Sequence, residues 1–324
     1  MLEVSRKKPY LILGALGLGS FLSTEKSFEI LNKASDFGLT DIDCAVSYGN
    51  GAARKIIGSF HKLGGNQFNI WEKIGLEMRE SSLGIYEAET LFPNPENIEL
   101  HLNRMLEIYQ TEQLYSIQLH APLPDNLRAN ILHSLKLQQN KGKYIHLGVS
   151  NHETFELVEL SLDCALTNLA ISSNQVHFSI AEQKGKNEII ARSFLENIPV
   201  VANRVLARGL LAFNNPEDSL RLAVSTKMRV QHGKFESFYS GVKSILAEVA
   251  DRPTSESAIS WVLHQKGICA VTLGVSSVSQ LNSAIQAVNY PLERSQLEFI
   301  DFEIARRFGE DIFKLPVTMF DRDY

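Results

Sequence analysis

The chain has 324 residues, 44% of them hydrophobic and 21% charged, with a net charge of −5. That balance describes a globular protein with ample material for a core, and its mixed acids and bases argue against nucleic acid or an anionic membrane as the main partner. No apolar run approaches the ~18 residues of a membrane span, and Met1–Lys8 lacks the apolar stretch of a signal peptide. Three widely spaced cysteines, Cys44, Cys164 and Cys269, lie in apolar segments. They read as reduced thiols of a cytoplasmic protein rather than disulfides or metal ligands.

The first predicted strand, Leu11–Leu18, runs into a glycine-rich turn. Gly14, Gly17 and Gly19 spell G-x-x-G-x-G, the reverse of the dinucleotide fingerprint, so the tight turn would not precede a pyrophosphate and a Rossmann unit is disfavoured. A helix over Ser23–Phe37 leads to a strand at Thr40–Asp43, which breaks at Tyr48-Gly49-Asn50-Gly51, a tight-loop signal. A helix over Ala52–Lys62 precedes the strand Phe68–Lys73. After a loop containing Pro93 and Pro95, the periodic Ile98, Leu102, Met105, Leu106 and Tyr109 mark a helix. The strand Leu114–His120 stops at Ala121-Pro122, and a helix over Arg128–Gln139 ends at Lys141-Gly142.

The strand Ile145–Asn151 is followed by a helix over Glu153–Leu162, the strand Ala170–Val176, a helix over Lys186–Glu196 and the strand Pro199–Arg204. An irregular region spans Gly209 to Glu236. Helices over Ser237–Ala250 and Glu256–His264 precede the last strand, Cys269–Gly274, and two more cover Val278–Val288 and Arg294–Phe308. Eight short apolar strands, nearly all separated by a helix, point to an α/β protein with a closed (β/α)8 TIM barrel. No domain boundary is evident, so residues 1–324 read as a single barrel domain with an N-terminal strand or hairpin and extra C-terminal helices.

Several polar residues fall at the C-terminal ends of consecutive strands: Asp43, with Tyr48 just beyond, then Lys73, then His120. In a barrel these ends converge on one face. A phenol has an ordinary pKa near ~10 and is a weak acid at neutral pH. An adjacent ammonium is expected to lower that value, with an acid holding the ammonium in place, so that Tyr48 exchanges a proton with substrate. His120 would orient a carbonyl oxygen.

With these residues in view, the sequence resembles the aldo-keto reductase family over most of its length. The resemblance rests on Asp43-Cys44-Ala45, Tyr48-Gly49, Lys73 in Glu72-Lys73-Ile74-Gly75, and His120 in Leu119-His120-Ala121-Pro122. It continues through Gly148-Val149-Ser150-Asn151, Gln175, Leu206-Ala207-Arg208-Gly209-Leu210-Leu211, and Gly274-Val275-Ser276-Ser277 followed by Gln280-Leu281. It implies an NADP(H)-dependent oxidoreductase, with NAD(H) also open, interconverting a small carbonyl (aldehyde, ketone or sugar-derived) and its alcohol. Asp43, Tyr48, Lys73 and His120 would form the catalytic tetrad, with Tyr48 as general acid/base. Ser150, Asn151, Gln175, Arg204, Leu206, Gly209, Gly274, Ser276, Ser277 and Gln280 would hold the cofactor, and no metal is implied.

The chain also departs from the family pattern. Cys44 replaces a threonine, and Arg54 stands where the helix after Tyr-Gly usually carries glutamate. Asn203 and Arg204 stand where many members carry an aromatic and a serine. Ser283 and Ala284 replace a Glu-Asn pair at the adenosine end, which implies looser cofactor binding. A cofactor-binding regulatory or scaffold subunit with little turnover is the alternative on the same fold.

Overall fold

The computed structural model describes residues 10–80, 86–90, 92, 94–150, 152–183, 188–212 and 226–309. Its strands are β1 (Tyr10–Gly14), β2 (Asp41–Cys44), β3 (Asn69–Ile74), β4 (Leu76–Glu80), β5 (Tyr86–Thr90), β6 (Leu114–Leu119), β7 (Tyr144–Ser150), β8 (Ile171–His177), β9 (Val200–Asn203) and β10 (Ile268–Gly274). Eight of them close a barrel in the order β1-β10-β9-β8-β7-β6-β3-β2, parallel throughout. The expected (β/α)8 barrel is therefore the observed architecture. An N-terminal strand or hairpin before Tyr10 would lie outside the described residues.

The helices are α1 (Thr24–Asp36), α2 (Ala52–Lys62), α3 (Ile98–Tyr109), α4 (Arg128–Asn140), α5 (Thr154–Leu166), α6 (Ile189–Leu195), α7 (Thr226–Val249), α8 (Thr254–Leu263), α9 (Val278–Asn289) and α10 (Arg294–Phe308). A surface helix of such a barrel buries an apolar stripe. In α1 the stripe is Ile30, Leu31 and Ala34, and Ser23 caps its start by accepting from the Lys26 amide at 3.3 Å. Inside the barrel Ile12, Trp71, Val201 and Ala270 form a separate, fully buried apolar plug. The Trp71 indole donates to Asp41 Oδ1 at 2.9 Å, so the plug leaves no buried N–H unpaired. Two residues on, along the inward face of β2 and β3, the same alternation presents Asp43 and Lys73 above that plug.

Three elements differ from the sequence-based expectation. The first strand stops at Gly14, because the chain turns there: the Leu18 amide donates to the Ala15 carbonyl at 3.0 Å. Gly14 pairs with Gly274, and a Cβ on Gly14 would stand 2.9 Å from the Gly274 nitrogen. This glycine serves the close approach of the two strands. The stretch between Gly75 and Pro95, expected to be loop, carries the antiparallel hairpin β4–β5, whose charged residues (Glu77, Arg79, Glu87, Glu89) hide the strand signal. Helix α7 begins at Thr226, well before the expected Ser237.

Candidate active site

The loop after β2 sets the site. Gly49, Asn50 and Gly51 all have left-handed backbone, at φ 59°, 50° and 80°, which glycine adopts freely and asparagine tolerates. The turn is closed by the Tyr48 amide on the Ala45 carbonyl (3.1 Å) and the Ala53 amide on the Tyr48 carbonyl (3.3 Å). It folds Tyr48 back over the end of its own strand, where its hydroxyl donates to Asp43 Oδ2 at 3.2 Å.

Lys73 Nζ is ion-paired with Asp43 Oδ1, and both side chains are 2% exposed. The same ammonium lies 3.5 Å from the Tyr48 hydroxyl. From the opposite side of the barrel, Gln175 Nε2 donates to Asp43 Oδ1 at 3.0 Å and to Thr272 Oγ1 at 3.2 Å. The Ser150 hydroxyl donates to Gln175 Oε1 at 3.3 Å. A chain of polar contacts thus runs from β7 through β8 to Asp43. His120 stands at the adjacent strand end, its amide donating to the Ile74 carbonyl at 2.8 Å.

The electrostatics differ from the sequence-based expectation at one point. Burial, and next the Asp43 carboxylate, hold the Tyr48 phenol well above its ordinary range. The ammonium of Lys73 is engaged by Asp43, and its effect is outweighed by burial and that carboxylate. Tyr48 is a protonated group over the whole neutral range. Burial, followed by the charges of Lys73 and Arg204, pushes His120 well below the usual histidine range, which makes it a neutral imidazole.

The chain matches the model of the Aldo/keto reductase family over residues 10–302. It belongs to that family. Among relatives, the uncharacterized oxidoreductase YrpG of Bacillus subtilis is 26% identical over 321 residues, covering 93% of this chain and 92% of the relative. The human aflatoxin B1 aldehyde reductase member 4 is 24% identical over 324 residues, covering 90% and 92%. The fold superposes on that of the glycerol dehydrogenase AKR11B4 from Gluconobacter oxydans with a TM-score of 0.76, at 23% identity and 92% coverage of each chain. This aldo-keto reductase is accordingly an oxidoreductase.

The remaining expected cofactor residues of the aldo-keto reductase ring the same barrel end. Arg204, Leu206 and Gly209 follow β9, where Arg204 and Arg208 have left-handed backbone (φ 56° and 57°). Gly274 ends β10. Ser277 caps α9 by accepting from the Gln280 amide at 3.2 Å. The Ser276 amide (2.8 Å) and hydroxyl (3.1 Å) converge on Gln280 Oε1. Asn151 lies outside the described residues. Asn203, one of the departures, has a buried side-chain carbonyl with no hydrogen-bond partner at the end of β9.

The other departures acquire partners inside the protein. Ser283 donates to Glu256 Oε1 at 2.7 Å, and Ala284 is fully buried in the core. Arg54 forms a two-pronged bond with Glu72, at 3.1 Å from Nε and 2.8 Å from Nη2. Sequence reasoning did not single out Thr272, His177 or Arg208. Thr272 shares a face of β10 with Gly274, and His177 shares a face of β8 with Gln175, so the two-residue alternation carried the signal. The charges of Arg204 and Arg208 reach His177, which burial above all keeps neutral.

Proposed function

We propose that this aldo-keto reductase reduces a small aldehyde or ketone with NADP(H), Tyr48 being the proton donor, and that the chain works as one domain. The observation that carries the reading is the Tyr48 hydroxyl held between Asp43 (3.2 Å) and Lys73 (3.5 Å) above an apolar plug. When bound, the nicotinamide supplies the hydride. The protein's own part is to place the carbonyl oxygen and give it a proton. Tyr48, kept protonated by its surroundings, gives that proton. Neutral His120 hydrogen-bonds the same oxygen and fixes its approach. Lys73 then faces the negative charge that remains on the phenolate, and Asp43 keeps the ammonium in position.

The residues present suit a dinucleotide. Ser276 aims an N–H and an O–H at one point beside a helix start, where the Gln280 carbonyl oxygen now stands, an arrangement that accepts a phosphate oxygen equally well. The unpartnered Asn203 carbonyl and the Ser150–Gln175 pair offer polar groups for a carboxamide. The alcohol direction is the less favoured one at neutral pH, since a phenol held above its ordinary range is a weak base. A relative named for an aldehyde reductase supports a carbonyl substrate.

Purified protein mixed with NADPH and a panel of aldehydes, ketones and aldoses, followed by the loss of reduced-nicotinamide absorbance, tests the reading. Turnover of at least one substrate that disappears in Tyr48→Phe supports it. Tight NADPH binding without turnover of any panel member would favour the regulatory alternative.

A further inference from the structure

On the outward face of β3, directly behind Lys73, lies a second ion pair. Glu72 and Tyr109 are fully buried and Arg54 is 7% exposed. The Glu72 carboxylate accepts both prongs of Arg54, the Tyr109 hydroxyl, and the backbone amide of Lys73 at 2.8 Å. Four donors satisfy a charge that would otherwise be costly to bury. Burial opposes the charge on Arg54, yet Glu72 outweighs it and keeps the guanidinium protonated.

The placement closes a ring. Cys44, next to Asp43, is the last residue of β2 and pairs with Glu72, so the Lys73 amide that Glu72 holds lies just beyond the end of that ladder. Arg54 follows Ala53, whose amide holds the Tyr48 carbonyl. The path therefore runs from Tyr48 to Ala53 and Arg54, across to Glu72, on to Lys73, and back to the Tyr48 hydroxyl at 3.5 Å. We propose that Arg54 and Glu72 are positioning residues of the active site, locking the backbone of Lys73 to the helix start behind Tyr48 and setting a fixed charge behind the phenol. This rests on the assignment of Tyr48 as proton donor.

The groups facing this pair are Tyr109 and His101 from α3 and Cys44 from β2, while Asp43, Lys73, Cys44 and Glu72 act on Tyr48. His101 is kept largely neutral, by burial first and Arg54 second, and Cys44 is pushed up to about 12. Neither changes charge around neutral pH, and in the alkaline range the group whose loss of a proton ends reduction is Tyr48, the proposed donor.

The test is the pH dependence of kcat for NADPH-driven reduction in wild type, Glu72→Gln, Tyr109→Phe, and the double variant Arg54→Met with Glu72→Gln, each checked for native fold by circular dichroism. Glu72→Gln leaves Arg54 unbalanced, and the alkaline limb should move down by roughly half to one pH unit. kcat should fall about tenfold, with both KM values within about twofold. The double variant, losing both charges, should bring the limb back toward wild type. Tyr109→Phe keeps both charges and spares the fold if Glu72→Gln does not, and its limb should move slightly upward because Glu72 loses a donor. A mere staple would lower the unfolding temperature and leave the limb in place. Folded Glu72→Gln or Tyr109→Phe with a wild-type limb and kcat overturns the proposal while an inactive Tyr48→Phe leaves the proton-donor assignment standing. An active Tyr48→Phe overturns both.

Discussion

At the centre of the barrel mouth, Asp43, Lys73 and Gln175 are almost wholly buried and bonded to one another across strands. At its edge, Ser276, Ser277 and Gln280 are half-buried and satisfied within their own turn. The centre is assembled before any ligand arrives, as stabilisation of developing charge requires, because groups that must first reorganise contribute less. Under the proposed cofactor site the edge would exchange partners, since Gln280 Oε1 takes both donors of Ser276. On the proposed reading, chemistry and cofactor affinity rest on different kinds of contact, and substitutions should separate them.

The largest effect is expected at the centre. Tyr48→Phe removes only the hydroxyl and should lower kcat by about 10²–10⁴-fold, with NADPH affinity by fluorescence titration nearly unchanged. Retention of most of the wild-type rate would remove Tyr48 as the donor. Lys73→Met leaves the Asp43 carboxylate buried without its cation. It should cost about 3–5 kcal/mol in urea unfolding, slow turnover strongly and move the alkaline limb of kcat upward. A variant as stable as wild type would break the view of this pair as a buried, mutually dependent unit.

The pH dependence follows from the same environment. As the proposed proton donor, Tyr48 must be protonated for reduction, and a raised pKa keeps it so at all pH values below that point. Carbonyl reduction should stay flat through neutral pH and fall only above the ordinary tyrosine range, while alcohol oxidation should rise as pH increases. Steady-state rates in both directions check this, and a reduction rate that collapses near neutrality would contradict it.

The edge should respond more gently. Ala284 is fully buried, so Ala284→Asn inserts volume and an amide into the core and should cost about 1–3 kcal/mol by thermal unfolding. Ser283→Glu sets a carboxylate beside Glu256. The pair is thus expected to lower stability before it adds contacts to adenosine, and a fully stable double variant that binds NADPH more tightly would show otherwise. Gln280→Ala frees the Ser276 amide and hydroxyl, and should change NADP⁺ affinity by only a few-fold, the worth of about 1 kcal/mol. A large change there would mean that the edge is as preorganised as the centre.

Much of this site was legible because strand ends carry short patterns. Asp43, Tyr48, Lys73 and His120 each stand where an apolar run gives way to a loop, and a barrel brings such positions to one mouth. The β4–β5 hairpin was not legible, since its charges mask the alternation. The partners of Ser283 and Ala284 were not legible either, because a helix shows its periodicity in sequence but not which neighbour covers each face.

Strand–helix alternation and the glycine-rich turn after Tyr48 were determined locally, since backbone preference and two-residue alternation act over a few residues. The tertiary structure alone decided that Gln175 meets Asp43 across 132 residues of sequence, and that Arg54 closes on Glu72 behind Lys73. It also decided the direction in which the Tyr48 pKa moves. Burial and the nearest charge are properties of space and not of chain order. From sequence the cation beside the phenol looked decisive, whereas in the folded barrel desolvation and the Asp43 carboxylate outweigh it.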